Sequence, residues 1–221
     1  MRSPVLASLL VAAALLVACG GGDESGETTT VAGEEAACEE ASRPQAKEGD
    51  VARPPKRPSA ARLVAVVETT CGTFAIALDT KRSPKTVASF EHLAREGVFD
   101  GTWFHRIVPG FVIQGGDPQG NGMGGPGYSV TEKPPADAQY RRGVVAMAKT
   151  EAEPPGTSGS QFFVVTAADA GLPPDYAIVG KVSEGFDVVR TIEQFGDHTG
   201  QTEEPLAPVV IKRVTIEDRG S

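Results

Sequence analysis

Trp103-Phe104-His105-Arg106-Ile107-Val108-Pro109-Gly110-Phe111-Val112-Ile113-Gln114-Gly115-Gly116-Asp117-Pro118 is the most distinctive stretch of the chain. Arg106 lies inside an apolar strand pattern, and Gln114 closes another. A guanidinium in such a place is costly unless it is hydrogen-bonded or lines a cleft. Gly115-Gly116 and the Gly-rich run over residues 120–127 permit close backbone approach and unusual dihedral angles.

Several chemistries are excluded by what the chain lacks. Gly156-Thr157-Ser158-Gly159-Ser160 does not fit the G-x-S-x-G nucleophile elbow. His92, His105 and His198 have no metal-ligand spacing, and no paired-Cys zinc motif exists. The Gly-rich run lacks the Lys-Ser/Thr of a phosphate loop, and no helix pattern follows it, so a dinucleotide fingerprint fails too. An Arg, a Gln, a His and several apolar residues remain. That set suits non-covalent work on an uncharged, partly apolar ligand.

Outward from this stretch, short apolar runs alternate with Gly/Pro clusters at residues 102–107, 111–114, 144–148, 161–166 and 177–181. Residues 63–69 are β-branched and apolar. Phe74, Ile76 and Leu78 alternate on one face of residues 73–78, and Cys71-Gly72 lies between the two runs, which predicts a hairpin. Residues 209–217 read as a final strand. Ser83-Pro84 opens a helix, with Ser83 as cap and Pro84 at the first helical position. Its apolar face is Val87, Phe90, Leu93 and Ala94, and Gly97 ends it. A second helix is predicted over residues 187–195, capped by Asp187, with Val188, Val189, Ile192 and Phe195 inward and Gly196 as its stop. No internal repeat is present. Many short strands with two isolated helices predict a mainly β domain, a closed barrel plugged by helices.

The composition agrees. Gly (26 residues) and Pro (17) are abundant and aromatics are few at 6%, which suits a β domain rich in turns. The net charge of −8 is uneven. Asp23, Glu24, Glu27, Glu34, Glu35, Glu39, Glu40, Glu48 and Asp50 are opposed locally only by Arg43 and Lys47. The rest of the chain is near neutral, with no basic footprint for nucleic acid. Acidic sequence of this kind is expected to be disordered. Residues 51–62, with Arg53-Pro54-Pro55-Lys56-Arg57-Pro58, read as a stiff extended linker.

Residues 1–18 read as a signal peptide, with Arg2 in the n-region and an apolar run over residues 5–17. That run is shorter than the roughly 20 residues of a membrane span. Leu16-Val17-Ala18-Cys19 resembles a bacterial lipobox, in which the Cys becomes the lipidated first mature residue. The other reading is an ordinary secretory peptide cut near Ala18. The division expected is therefore signal peptide 1–18, acidic then Pro-rich tether 19–62, and domain 63–221. Cys38 and Cys71 remain as a pair that an exported protein could join in a disulfide, or as two free thiols.

Residues 104–111 with Gln114-Gly115-Gly116-Asp117 resemble the signature of the cyclophilins. Gly143-Val144-Val145-Ala146-Met147-Ala148 resembles that family's strand before the active-site loop. Ser158-Gly159-Ser160-Gln161-Phe162-Phe163 resembles its second signature, and Gly180-Lys181-Val182 and the Gly185-Phe186-Asp187-Val188-Val189 helix start follow in order. The resemblance covers residues 63–216. It implies a closed eight-stranded antiparallel barrel capped by two helices, and a peptidyl-prolyl cis-trans isomerase without cofactor or metal. It implies that Arg106 is the catalytic donor, with Gln114 holding it and the substrate backbone. Phe111, Val112, Phe163 and Leu172 become the seat of the proline ring, Ala148, Gln161 and Gly122 line the groove, and His105 has a supporting role.

Three positions depart from the family's pattern. A Trp of eukaryotic members is Gly171, which weakens any expectation of tight cyclosporin binding. A groove His is Tyr176, as in bacterial members, and a groove Asn is Lys149. Partners implied are proline-containing polypeptides and a membrane reached through lipid on Cys19, outside the cytoplasm, with the protein a monomer. Three functions stand at this point: an isomerase assisting exported proteins, a peptide-binding chaperone or scaffold with incidental catalysis, and a surface adhesin supported only by the acidic tether. Retention of Arg106, Phe111, Gln114, Phe163 and Leu172 favours the first.

Overall fold

Residues 38–220 are described by the structure, a computed structural model. The expected hairpin is β1 (Leu63–Thr69) with β2 (Gly72–Leu78), in antiparallel register from Val64↔Ala77 to Thr69↔Gly72. Helix α1 (Pro84–Arg95) follows, then β3 (Thr102–Trp103), β4 (Arg106–Val108), β5 (Val112–Gly115), β6 (Val130–Thr131), β7 (Val144–Met147), β8 (Thr157–Ser158), β9 (Phe162–Val165) and β10 (Ile178–Glu184). Helix α2 (Phe186–Glu193) and β11 (Val210–Asp218) complete the chain. Among the described residues the main sheet has nine strands in the order β3-β11-β1-β2-β10-β7-β9-β5-β4, and β6 and β8 form a separate pair.

This corrects the expected closed eight-stranded barrel. The sheet curls into a half-barrel whose outer strands, β3 and β4, are consecutive in the chain yet do not pair. The run over residues 102–107 is not one strand. β3 pairs only with β11, through Thr102 and Trp103. The chain then turns at Phe104-His105, and the Ile107 N–H donates to the Glu203 carbonyl at 2.8 Å instead of to a strand.

Helix α1 buries Val87, Phe90, Leu93 and Ala94, as its periodicity predicts. Phe90 packs on Phe99 (4.8 Å between ring centroids) and edge-on to Phe162 (5.6 Å), within the core that holds Ile76, Ile107, Ile113 and Val164. Its start differs from expectation: the Ser83 side chain makes no capping bond, and the Glu132 carboxylate accepts from the Thr86 N–H at 2.8 Å. Helix α2 begins at Phe186 with Gly185 before it, so Asp187 lies in the first turn, where its charge suits the helix dipole, and is not the cap.

The N-terminal segment is the larger correction. Residues 38–62 have no regular secondary structure, yet they lie along the domain as a strap. Cys38 and Cys71 are joined by a disulfide. The Glu39 N–H donates to the Thr70 carbonyl (2.7 Å), that of Lys47 to Pro118 (3.0 Å), and that of Val51 to Pro126 (3.2 Å). The Arg43 guanidinium stacks over Trp103 at 4.6 Å and donates to the Gly120 carbonyl at 3.1 Å. Gly49 permits the close approach, since a Cβ there would lie 2.5 Å from the Pro118 ring. Composition favours disorder here, but backbone pairing and a covalent link supply what apolar burial does not. The signal segment 1–18, Cys19 and tether residues up to 37 lie outside the described residues.

Candidate active site

Strand alternation builds the site. Register places Arg106 of β4 opposite Gln114 of β5, Gln114 opposite Phe163 of β9, and Phe163 opposite Ala146 of β7. These four form one row across the outer face of the sheet. The adjacent row, Ile107, Ile113, Val164 and Val145, faces the inner core. A period of two thus sends the polar pair outward while its neighbours build the interior. The outward side carries its own apolar cluster of Val112, Tyr140, Ala146, Phe163 and Val165, against which Phe111, Ala148, Leu172 and Tyr176 pack.

A cavity of about 330 Å³ opens on this cluster. Phe111, Val112, Phe163 and Leu172 supply its apolar wall, Tyr176 and Ala148 its rim, and Arg106 and Gln114 its polar edge. Lys149 also lines it, with its ammonium 5.5 Å from the centre of the Tyr176 ring. A second groove of about 310 Å³ shares Gln114, Ala148 and Lys149 and continues over Gln161 and Gly122. Among the described residues no group of three His, Cys, Asp or Glu side chains is placed to hold a metal ion.

The polar groups are linked in series. Arg106 Nη1 donates to Gln114 Oε1 at 3.4 Å, and Gln114 Nε2 donates to Gln161 Oε1 at 3.1 Å. Gln161 Nε2 in turn donates to the carbonyls of Gly122 (3.0 Å) and Gly124 (2.9 Å). One chain of bonds therefore runs from the guanidinium to the Gly-rich loop. That loop is shaped by Asp117, whose buried carboxylate accepts from the N–H groups of Gln119, Asn121 and Gly122. Gly122 has φ +83°, a left-handed conformation that excludes most other residues. Replacing Gln161 by Ala breaks this chain in the middle, and kcat/KM should fall about tenfold, the equivalent of one or two net hydrogen bonds. Steady-state kinetics on an Xaa-Pro peptide, with circular dichroism as the folding control, checks this.

His105 does not line the apolar cavity. Its ring lies beside Gly122, and burial pushes its pKa down. Three contributors escaped the sequence reading. Asp117 could have been found from the turn-forming residues that follow it. Glu203 has no local signal, being 97 residues from Arg106, yet it pairs with Arg106 through Nε (2.7 Å) and Nη2 (3.2 Å). This pairing holds the Glu203 carboxyl below its ordinary pKa.

The third is Tyr140. Its hydroxyl donates to the Tyr176 carbonyl at 2.7 Å and accepts from the Tyr176 N–H at 3.0 Å, fixing the aromatic wall from behind. Burial raises its pKa to about 12. Tyr140→Phe leaves both backbone groups without that partner, and we expect a loss of about 1–3 kcal/mol in urea unfolding.

The site thus presents an apolar wall edged by one guanidinium and one amide. The model of the cyclophilin type peptidyl-prolyl cis-trans isomerase family matches residues 64–216. Peptidyl-prolyl cis-trans isomerase B of Streptomyces anulatus is 39% identical over 178 residues, covering 72% of this chain and 99% of that protein. A peptidyl-prolyl cis-trans isomerase-like 1 of Neurospora crassa is 38% identical over 154 residues, covering 68% and 91%. The crystal structure of a cyclophilin type isomerase of Cryptosporidium parvum superposes with a TM-score of 0.65 at 32% identity, over 72% of this chain and all of that one. A second crystal structure of that protein, in the presence of the dipeptide Ala-Pro, gives 0.64 over 71% and 99%. The chain belongs to the cyclophilin-type peptidyl-prolyl cis-trans isomerases.

Proposed function

We propose that this isomerase turns Xaa-Pro bonds of proline-containing polypeptides outside the cytoplasm, as a monomer held at the outer face of a bacterial membrane by lipid on Cys19. The observation that carries the catalytic part is the Arg106 guanidinium on the polar edge of the apolar cavity. The Cryptosporidium relative was crystallised with Ala-Pro, and a proline ring suits a wall of Phe111, Phe163 and Leu172. Rotation about a peptide bond has a barrier of about 18–20 kcal/mol, because the nitrogen lone pair is shared with the carbonyl. Twisting localises the pair on the prolyl nitrogen. A donor facing that atom binds the twisted state more strongly than the planar one. Arg106 is that donor, and Gln114 holds both it and the substrate backbone.

The exported and anchored parts rest on residues 1–19, with the signal-like run and its lipobox-like end. Metabolic labelling with a fatty acid in a bacterial host tests them. Label in the membrane fraction that vanishes in Cys19→Ala supports the anchor. An unlabelled wild-type protein released to the medium overturns it in favour of simple secretion. Catalysis on clients is tested by adding the protein to an unfolded exported protein whose refolding waits on a proline. Acceleration that is lost in Arg106→Ala supports the folding role. Equal acceleration by both would favour a chaperone whose turnover is incidental.

A further inference from the structure

Arg106 is a long side chain with many rotamers, and its Nη1 edge has only one long bond, to Gln114 at 3.4 Å. The guanidinium carbon lies 5.8 Å from the centre of the Phe111 ring, at the mouth of the apolar cavity. The opposite edge is held differently. Glu203 accepts from Nε at 2.7 Å and from Nη2 at 3.2 Å, a fork-to-fork pair. The backbone of Glu203 grips the same strand, its carbonyl accepting from the Ile107 N–H at 2.8 Å. One residue thus fastens both the catalytic side chain and the strand that bears it.

The loop that carries Glu203 is built to stay in place. The Asp197 carboxylate accepts from Thr199 N (2.7 Å), Thr199 Oγ1 (2.6 Å), Gln201 N (2.9 Å) and Thr202 N (3.0 Å). Thr202 Oγ1 accepts from the Glu204 N–H at 3.0 Å, and the Leu206 N–H returns to the Phe195 carbonyl at 2.7 Å. From the strap, Arg43 reaches Glu204 at 3.0 Å. The Arg106–Glu203 pair is partly exposed, 29% and 62% by side chain, so it adds little to the stability of the fold. Its geometry is what the site would lose.

We propose that Glu203 is the positioning residue of Arg106: it fixes the Nε–Nη2 edge and leaves the Nη1 edge presented to the cavity. This rests on reading that cavity as the proline seat, which wild-type turnover of an Xaa-Pro peptide tests separately. A carboxylate beside a guanidinium also weakens it as a donor. Ordering outweighs that loss, because the Nη1 hydrogens are not the ones Glu203 takes, and a preorganised donor needs no rearrangement at the moment of rotation.

The test uses the full chain and its Glu203→Ala, Glu203→Gln and Glu203→Asp variants. Kinetics on an Xaa-Pro peptide are read beside the NMR signal of Arg106 Nε–H. Backbone amide spectra verify folding; if the Ala variant misfolds, the near-isosteric Gln variant carries the comparison. We expect kcat to fall about five- to fiftyfold in Glu203→Ala, short of the ~10²-fold of a 1 Å misplacement. KM should stay within about twofold, because the cavity itself is untouched. The Nε–H signal should be lost in Glu203→Ala, and Glu203→Asp should recover part of both signal and kcat. Two results would overturn the proposal: a kcat that is unchanged, whether or not KM climbs, or a kcat that rises.

Discussion

Arg106→Ala should lower kcat/KM on an Xaa-Pro peptide by about 10²- to 10³-fold while leaving the fold intact, as removal of one preorganised donor does elsewhere. The side chain sits at the edge of the cavity and is partly exposed, so its loss opens no hole in the core. Its strand neighbours Ile107 and Val108 still pair with Ile113 and Val112. If Arg106 faces the twisted bond as proposed, the loss should fall on kcat, with the apolar wall of Phe111, Phe163 and Leu172 left in place. Arg106→Lys should not rescue it. An ammonium is a point donor that cannot hold Gln114 and Glu203 at fixed angles together. A coupled assay gives the rates. A variant within about tenfold of wild type would move the catalytic role to another group in the cavity.

Removing the disulfide should have the largest effect on stability. Cys38 and Cys71 close a loop with a sequence separation of 33, which the chain-entropy model values at about 3–4 kcal/mol. Without it the strap depends on backbone bonds near the surface and on Arg43 and Lys47, contacts of small net value. Urea unfolding of the Cys38→Ser/Cys71→Ser variant, or of the wild type with and without reductant, measures the difference. Peptide turnover should survive under native conditions, because Arg106, Gln114 and Phe163 lie on β4, β5 and β9, not on the strap. A difference below about 1 kcal/mol would mean that the unfolded chain already keeps these residues close.

The legible parts of this fold are those with local period and punctuation. Phe74, Ile76 and Leu78 mark β2 by alternation, and Val87, Phe90, Leu93 and Ala94 mark α1 by helical spacing. Arg106 and Gln114 stand out as polar residues in apolar strands, and the resemblance joins them to Phe163 and Leu172 before any geometry is known. The number of strands and the open edge are another matter. Whether β3 and β4 pair depends on where the Ile107 N–H goes, and it goes to Glu203, far along the chain. Glu203 and Tyr140 act through partners 97 and 36 residues away, and no local pattern records such pairs. The strap misleads for the opposite reason. Its Pro-rich, charged composition describes what it would do alone, while Cys38 and Gly49 make it part of the domain.

The crosslink also decides how the molecule bears load. A pull on the chain ahead of Cys38 passes across the sulfurs into the turn between β1 and β2, and the intervening segment feels no tension. Those residues would extend by about 110 Å if drawn straight, yet their ends stay 4.1 Å apart. In a force-extension trace the unfolding step of the oxidised protein should therefore be shorter by about that length than the step after reduction. The strap beside the groove loop stays slack until the covalent bond is cut.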